Sequence, residues 1–239
     1  MNNTANKVEL LGFYGGDKTH CLSAWTSTFQ ELNIDLPNLV EDRIDLLFEE
    51  ISKSKKKTPE DLLLMLGSSG HGTPFEKSCL HFLVTTDVAS HIHCIKHRIG
   101  VSVNAESARY KELTEDKYYL PEDWINIKST IPDGKSVTWF EILRNYTEVG
   151  NILYHDCLKD LTPILGRKRA KESARFFKTY NSQITSDVMF NFRSFIHFQQ
   201  LRNSEHAQKE IREIASIMLS LVKNIPENPF QYSLKAFNY

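Results

Sequence analysis

The chain has no surplus of charge of either sign: 29 Lys and Arg stand against 30 Asp and Glu in 239 residues, a formal net charge of −1. That balance excludes the global basic field that draws a protein onto DNA or RNA. Long hydrophobic runs are also missing. None approaches the ~20 residues that span a bilayer, so no membrane segment is read. The opening "MNNTANKVELLGFYGGDK" has no basic stretch followed by an apolar one, which argues against secretion. Cysteine is scarce: Cys21, Cys79, Cys94 and Cys157 are scattered without CxxC spacing. They read as reduced, partly buried thiols and not as a disulfide framework. No internal repeat or low-complexity linker divides the chain. What remains is 41% hydrophobic, enough for one domain over residues 1–239 with a substantial core. The expectation is a soluble cytoplasmic protein, with residues 1–8 as a flexible tail.

Strand and helix signals alternate irregularly. "VELLGFY" (8–14), "CLHFLV" (79–84) and "SQITSDVMFNF" (182–192) read as extended. "LVEDRIDLLFEEI" (39–51) has helical periodicity, and "TPEDLLLML" (58–66) starts with Thr58 as N-cap and Pro59 at the first helical position. Asp87 caps a short helix running into "IHCIKH". "SVTWFEILRNYTEVGNILYHDCLKDL" (136–161) is a long amphipathic helix with Trp139, Ile142, Leu143, Tyr146, Val149 and Leu153 near one face. "RSFIHFQQLR" (193–202) and "SEHAQKEIREIASIMLSLVKNI" (204–225) complete the helices. No regular βαβ repeat is present. The fold class is therefore α+β, a central mixed or antiparallel sheet flanked by long helices.

Chemistry concentrates in "HIHCIKHRIGVSVNAESARY" (91–110). On a helix His93 and His97 would share a face, as a Zn²⁺ pair does, but there is no HExxH and further ligands would have to come from elsewhere, so no metal is expected. A nucleic-acid patch is poorly served, because the basic residues are interleaved with Ile, Val and Ala. An anion pocket uses more of the residues: Lys96, Arg98 and Arg109 as cations, with Ser102, Asn104 and Ser107 as hydroxyl and amide donors.

"KHRIGVSVNAESARY" resembles the signature of the flavin-dependent thymidylate synthases (ThyX): Arg-His-Arg, seven or eight residues, then Ser, with Arg-Tyr after it. "GHGTPFEKSCLHFLV" resembles that family's Gly-His-x-(Ser/Thr)-Pro-x-Glu segment. "NFRSFIHFQQLRNSEHAQKEI" resembles its Asn-x-Arg-Ser…Phe-x-x-Leu-Arg…His-Ala-Gln-x-Glu-Ile segment. The three occur in the family's order and cover most of residues 66–225. The resemblance implies a ThyX-like fold and reductive methylation of dUMP to dTMP, with FAD as cofactor and NADPH and methylene-tetrahydrofolate as co-substrates. It also implies a homotetramer whose active sites combine several subunits. All these ligands are anions, which agrees with the local cations.

Carried over by position, the resemblance assigns FAD contacts to Ser27, His71, Thr73, Lys96, His97, Arg98, Glu106, Asn191, Phe192, Arg193 and His197. It assigns dUMP contacts to His93, Cys94, Ile95, Lys96, to the loop Ala105, Glu106, Ser107, Ala108 and Arg109, and to Arg175 and Arg202. Arg202 stands where the family places the Arg that polarises the uracil, and with Ser107 it is the catalytic expectation. The sequence also departs from the pattern. Lys96 replaces the first Arg of the motif, His93 a Gln and His197 an Asn, and "FFKTYN" stands where Leu-Pro is frequent. These departures leave two alternatives open: a relative that methylates UMP or another pyrimidine nucleotide, and a catalytically silent flavoprotein.

Overall fold

The computed structural model describes residues 4–28, 40, 43–131 and 136–239. In chain order it contains β1 (Lys7–Tyr14), α1 (Asp17–Trp25), α2 (Arg43–Ser52), α3 (Pro59–Ser68), β2 (Cys79–Asp87), α4 (Val88–Ile95), β3 (Val101–Ala105), α5 (Trp139–Leu165), α6 (Arg167–Ala174), β4 (Gln183–Asn191), α7 (Phe192–Arg202), α8 (Lys209–Lys223) and α9 (Gln231–Ala236). The strands form an antiparallel four-stranded sheet in the order β1-β2-β4-β3. The α+β expectation holds. No described helix is long and apolar enough to cross a membrane.

The helix starts follow local chemistry. The Asp61 N–H donates to Thr58 Oγ1 ahead of Pro59, and the Ser90 N–H donates to Asp87 Oδ1. Thr138 and Glu141 cap each other's backbone in a capping box at α5. Several expectations need correction. The start of the helix expected over 39–51 falls partly outside the described residues, and the helix itself runs Arg43–Ser52. α1, β3, α6 and α9 were not expected. α8 begins only at Lys209, after bends and turns over residues 203–207. In the expected tail, residues 1–3 lie outside the description. The next residues are held: the Thr4 N–H donates to Tyr118 O at 3.0 Å, Asn6 is buried, and β1 starts at Lys7.

The described residues make up two compact units. The first comprises the chain up to Lys7, Val84–Lys96 and Asn104–Ser186. Here α5 packs on α6 through Tyr154, Leu158, Ala170 and Ala174, the two alanines allowing close approach of the helices. Lys178 is almost buried. Its ammonium lies 4.5 Å from the Tyr154 ring centre and bonds Asp116 at 2.5 Å and Asn151 at 2.8 Å. The apolar stripe read on α5 is largely exposed in this chain. The buried α5 positions are Thr147, Gly150, Asn151, Tyr154 and Leu158, whereas Tyr146, Val149 and Ile152 are 65%, 54% and 60% exposed.

The second unit comprises Val8–Leu83, His97–Val103 and Asp187–Tyr239. Its core is phenylalanine-rich: Phe192 stacks on Phe230 at 5.3 Å and 6°, and Phe82 on Phe195 at 5.9 Å and 18°. His20 sits wholly buried among Phe75, Phe192 and Phe230. Its Nδ1 lies 2.7 Å from Ser233 Oγ and its Nε2 2.7 Å from Ser78 Oγ. The Ser233 hydroxyl donates to Asp17 Oδ1 at 2.5 Å. Having donated its proton, Ser233 Oγ accepts from the His20 Nδ1–H, so His20 Nε2 accepts from the Ser78 hydroxyl. The imidazole is thus neutral, and burial pushes its pKa down to about 3.

A prediction follows from the sign of that shift. Below the ordinary histidine value of ~6.5, the unfolded chain takes up a proton that the folded chain refuses, so stability falls as pH drops from 6.5 toward 3. Between pH 7 and pH 4 the loss attributable to His20 is on the order of 3 kcal/mol. His20→Gln, polar but unable to titrate, should shrink the pH 7-to-4 drop in urea-unfolding free energy by about that amount. An unchanged drop would refute the assignment.

Candidate active site

Within the second unit, three segments converge. Thr73–Glu76 forms a short 3-10 turn after His71 and Gly72. Residues 97–100 lead into β3. The third segment is the start of α7, where β4 passes straight into helix and Asn191 is the cap: its side chain accepts the Ser194 N–H at 2.8 Å. The Asn191 N–H donates to Gly100 O at 2.8 Å, and the Ser194 hydroxyl donates to Ile99 O at 2.7 Å. Gly100 has φ +64°, and a Cβ there would collide with Asn191 Nδ2 and Ser194 Oγ. Glycine is therefore required both by conformation and by contact.

Arg193 Nη1 donates to Glu76 Oε1 at 2.6 Å. Its guanidinium lies over Gly72, where a Cβ would stand 2.5 Å from Arg193 Nε. A cavity of about 410 Å³ opens beside this pair, lined by His71, Gly72, Glu76, Ile99, Arg193, Ser194, His197 and Gln200. Further along α7, the Arg202 Nε–H donates to His97 Nε2 at 3.0 Å. The His97 ring stands edge-on to Phe198 at 5.0 Å and to His197 at 5.9 Å. Burial, then the charges of Arg202 and His197, push the His97 pKa down to about 4. At neutral pH it is an uncharged acceptor.

The structure therefore brings together His71, Arg193 and His197 on one cavity, and pairs His97 with Arg202. Asn191 serves as the helix cap. Phe192 is wholly buried and stacked on Phe230, so only its backbone is offered at the α7 N-terminus. Thr73 and Arg98 are exposed and do not line the cavity. Neither does Ser27, whose hydroxyl donates to Ala24 O at 2.9 Å. Glu76, Ile99, Ser194 and Gln200 line the cavity without having been singled out. Glu76 was legible as the last residue of "GHGTPFE" and Ser194 as the Ser of Asn-x-Arg-Ser; Ile99 and Gln200 carried no signal of their own.

The first unit holds the other group. α4 ends at Ile95 with Lys96 as C-cap, so His93 and His97 do not share a helical face and the geometry behind a Zn²⁺ pair is absent. Among the described residues no group of three or more His, Cys, Asp or Glu could hold a metal ion. Cys94 and Ala108 are buried, Ile95 and Lys96 exposed, and His93 and Ala105 half-buried. After β3 the chain turns at Ser107, whose carbonyl accepts the Tyr110 and Lys111 N–H groups. Glu106 braces this turn, accepting the Thr185 N–H at 2.9 Å and the Lys111 ammonium at 2.5 Å. Ser107 Oγ accepts the Arg109 N–H at 3.3 Å. Arg109 Nε bonds Glu172 on α6 at 3.1 Å, and Lys171 of α6 bonds Tyr110 O at 2.9 Å. Arg175 follows directly on α6, exposed. The turn and the end of α6 thus present Ser107, Arg109 and Arg175 from one braced framework.

Known proteins resemble this chain in sequence and in fold. Residues 10–227 match the Thy1 family, Thymidylate synthase complementing protein. A flavin-dependent thymidylate synthase of Thermosipho melanesiensis is 33% identical over 189 residues, 77% of this chain and 80% of that one. One from Streptomyces coelicolor is 27% identical over 173 residues, 70% of each chain. The crystal structure of a UMP/dUMP methylase, PolB, from Streptomyces cacaoi bound with 5-Br UMP superposes with a TM-score of 0.71 over 98% of this chain and 95% of that one. At 23% identity that likeness shows the fold. By sequence match over nearly its whole length, the chain belongs to the Thymidylate synthase complementing protein family, that of the flavin-dependent thymidylate synthases.

Proposed function

We propose that the protein methylates dUMP to dTMP, with FAD as cofactor and NADPH and methylene-tetrahydrofolate as co-substrates. The observation that carries this reading is the arrangement on α7: one helix places Arg193 at a cavity beside its N-terminus and, at its other end, carries Arg202, whose Nε–H donates to His97. The fit to a flavin rests on the second unit. Gly72 leaves room for the Arg193 guanidinium beside the cavity, the α7 N-terminus favours anions, and Arg193 supplies a planar fork. At about 410 Å³ the cavity lies low in the range for small-molecule pockets, suited to a ring system more than to a whole dinucleotide. Bound there, a flavin would supply the redox chemistry, taking a hydride from NADPH and providing one for reduction of the one-carbon unit given up by the folate, itself released as tetrahydrofolate.

The chain's own residues do the rest. Arg109 and Arg175 receive the nucleotide phosphate. Glu172 holds Arg109 by Nε and so leaves its terminal nitrogens for the anion. Ser107, whose Oγ already accepts from the backbone, gives its proton to a nucleotide oxygen. Arg202 stabilises negative charge on the uracil as its ring N–H is lost, a type of contact worth ~3 kcal/mol for one donor. Lys96 keeps the charge of the family's first Arg without its bidentate fork.

Three outcomes test this reading. In a tritium-release assay at uracil C5, dUMP should turn over at least ten times faster than UMP; equal rates would assign a broader pyrimidine nucleotide methylase. In stopped-flow absorbance, Arg202→Ala should leave flavin reduction by NADPH nearly normal and abolish methyl transfer. Lys96→Arg should match or exceed wild type, whereas Lys96→Ala should slow flavin oxidation by substrate about tenfold, since a charge-assisted bond of ~1.5–3 kcal/mol is lost. Wild-type behaviour of Lys96→Ala would make Lys96 a solvated surface charge.

The exposed α5 stripe of Tyr146, Val149 and Ile152 supports the homotetramer, because an apolar helix face of this kind is covered in stable proteins. Light scattering at micromolar concentration should give four chains, and Val149→Asp should shift the mass downward. A monomeric, fully active wild type would contradict the assembly.

A further inference from the structure

We propose that His97 is a positioning residue for Arg202: its Nε2 lone pair holds the Arg202 Nε–H and thereby sets the plane of the guanidinium that works on the pyrimidine. The inference rests on the role of Arg202 proposed above and adds the group that aims it. A guanidinium has one donor at Nε and four at its terminal nitrogens. All five lie in the guanidinium plane, so the 3.0 Å bond from Nε to His97 constrains rotation of that plane about the end of the side chain.

His97 is itself seated by the helix that it serves. Its ring stands edge-on to Phe198 at 5.0 Å and to His197 at 5.9 Å. Phe198 and Arg202 are four residues apart, so they lie one above the other on the same face of α7. The ring that orients His97 and the arginine that His97 orients thus ride on a single rigid element. His197 stands on the adjacent turn and adds a second edge.

The same bond decides the tautomer. A nitrogen that accepts from Arg202 carries no proton, so the imidazole is neutral with its hydrogen on Nδ1. The groups facing it are Arg202 and His197, and together with burial they oppose a positive charge. His97 is therefore not a third cation between Lys96 and Arg98. It offers one neutral N–H, at Nδ1, suited to a carbonyl or ring nitrogen.

The test uses the full-length protein carrying ¹⁵N-labelled histidine. At pH 7 the His97 resonances should show a protonated Nδ1 and an unprotonated Nε2, with titration near pH 4. In Arg202→Leu the ring should lose that fixed tautomer and titrate nearer the ordinary histidine range. A proton on Nε2 at pH 7, or no response to Arg202→Leu, overturns the proposal. Kinetics give the second arm. His97→Leu should lower kcat for methyl transfer about 100-fold, the scale of a small misplacement, with KM for dUMP and the rate of flavin reduction by NADPH each within about threefold. His97→Gln, whose Oε1 still accepts from Arg202, should recover at least tenfold of the loss. Equal collapse of flavin reduction and methyl transfer in both variants would instead make His97 a flavin-packing residue. Should wild type not methylate dUMP at all, the function proposed above fails, while the tautomer measurement still decides the His97–Arg202 pair.

Discussion

The hydrogen bond from the Asn191 N–H to the Gly100 carbonyl, 2.8 Å long, is the constraint on which the arrangement of the second unit depends. It ties the last residue of β4 to the segment that follows the histidine-rich motif. Asn191 then turns the strand into a helix by accepting the Ser194 N–H with its side chain. One residue therefore ends a strand, caps a helix and anchors a loop. Everything placed by α7, from Arg193 to Arg202, inherits its position from that junction. The glycine opposite it leaves no room for adjustment, since both its positive φ and its contact with Asn191 exclude a side chain.

Charge around this frame is handled by pairing in some places and by neutrality in others. Arg193 is matched by Glu76, and Arg109 by Glu172, each through one edge of the guanidinium. At Arg202 the Nε–H is accepted by a neutral histidine, whose ring holds that nitrogen without adding a negative charge of its own. His20 shows the related device in the core, where two serine hydroxyls satisfy a neutral ring that burial keeps uncharged.

Much of this was legible in the sequence, for identifiable reasons. Caps announce themselves because the side chain that satisfies a helix end lies within three residues of it, as Thr58, Asp87 and Thr138 do. The three motifs were readable as continuous strings, and His71, His97, Asn191, Arg193 and Arg202, which they singled out, all fall in the second unit. The failures are of two kinds. β3 is too short, and too polar at alternate positions, to stand out from a loop; only pairing with β4 makes it a strand. The α5 stripe was legible as apolar, but periodicity reveals that a face is apolar and not what covers it. Pairs that close over long separations, such as Glu76 with Arg193, left no local trace, and Ser27 was placed by alignment alone in a turn that does not reach the cavity.

Gly72 has a consequence for how this sequence can drift. The Arg193 guanidinium occupies the space in which a side chain at position 72 would begin. Every substitution there adds at least a methyl group, so the guanidinium must move aside to admit it, and its bond to Glu76 shifts with it. A change at position 72 is thus felt first by the charge beside the cavity, whereas Ile99, 89% exposed and lining the same cavity, presents its side chain to solvent.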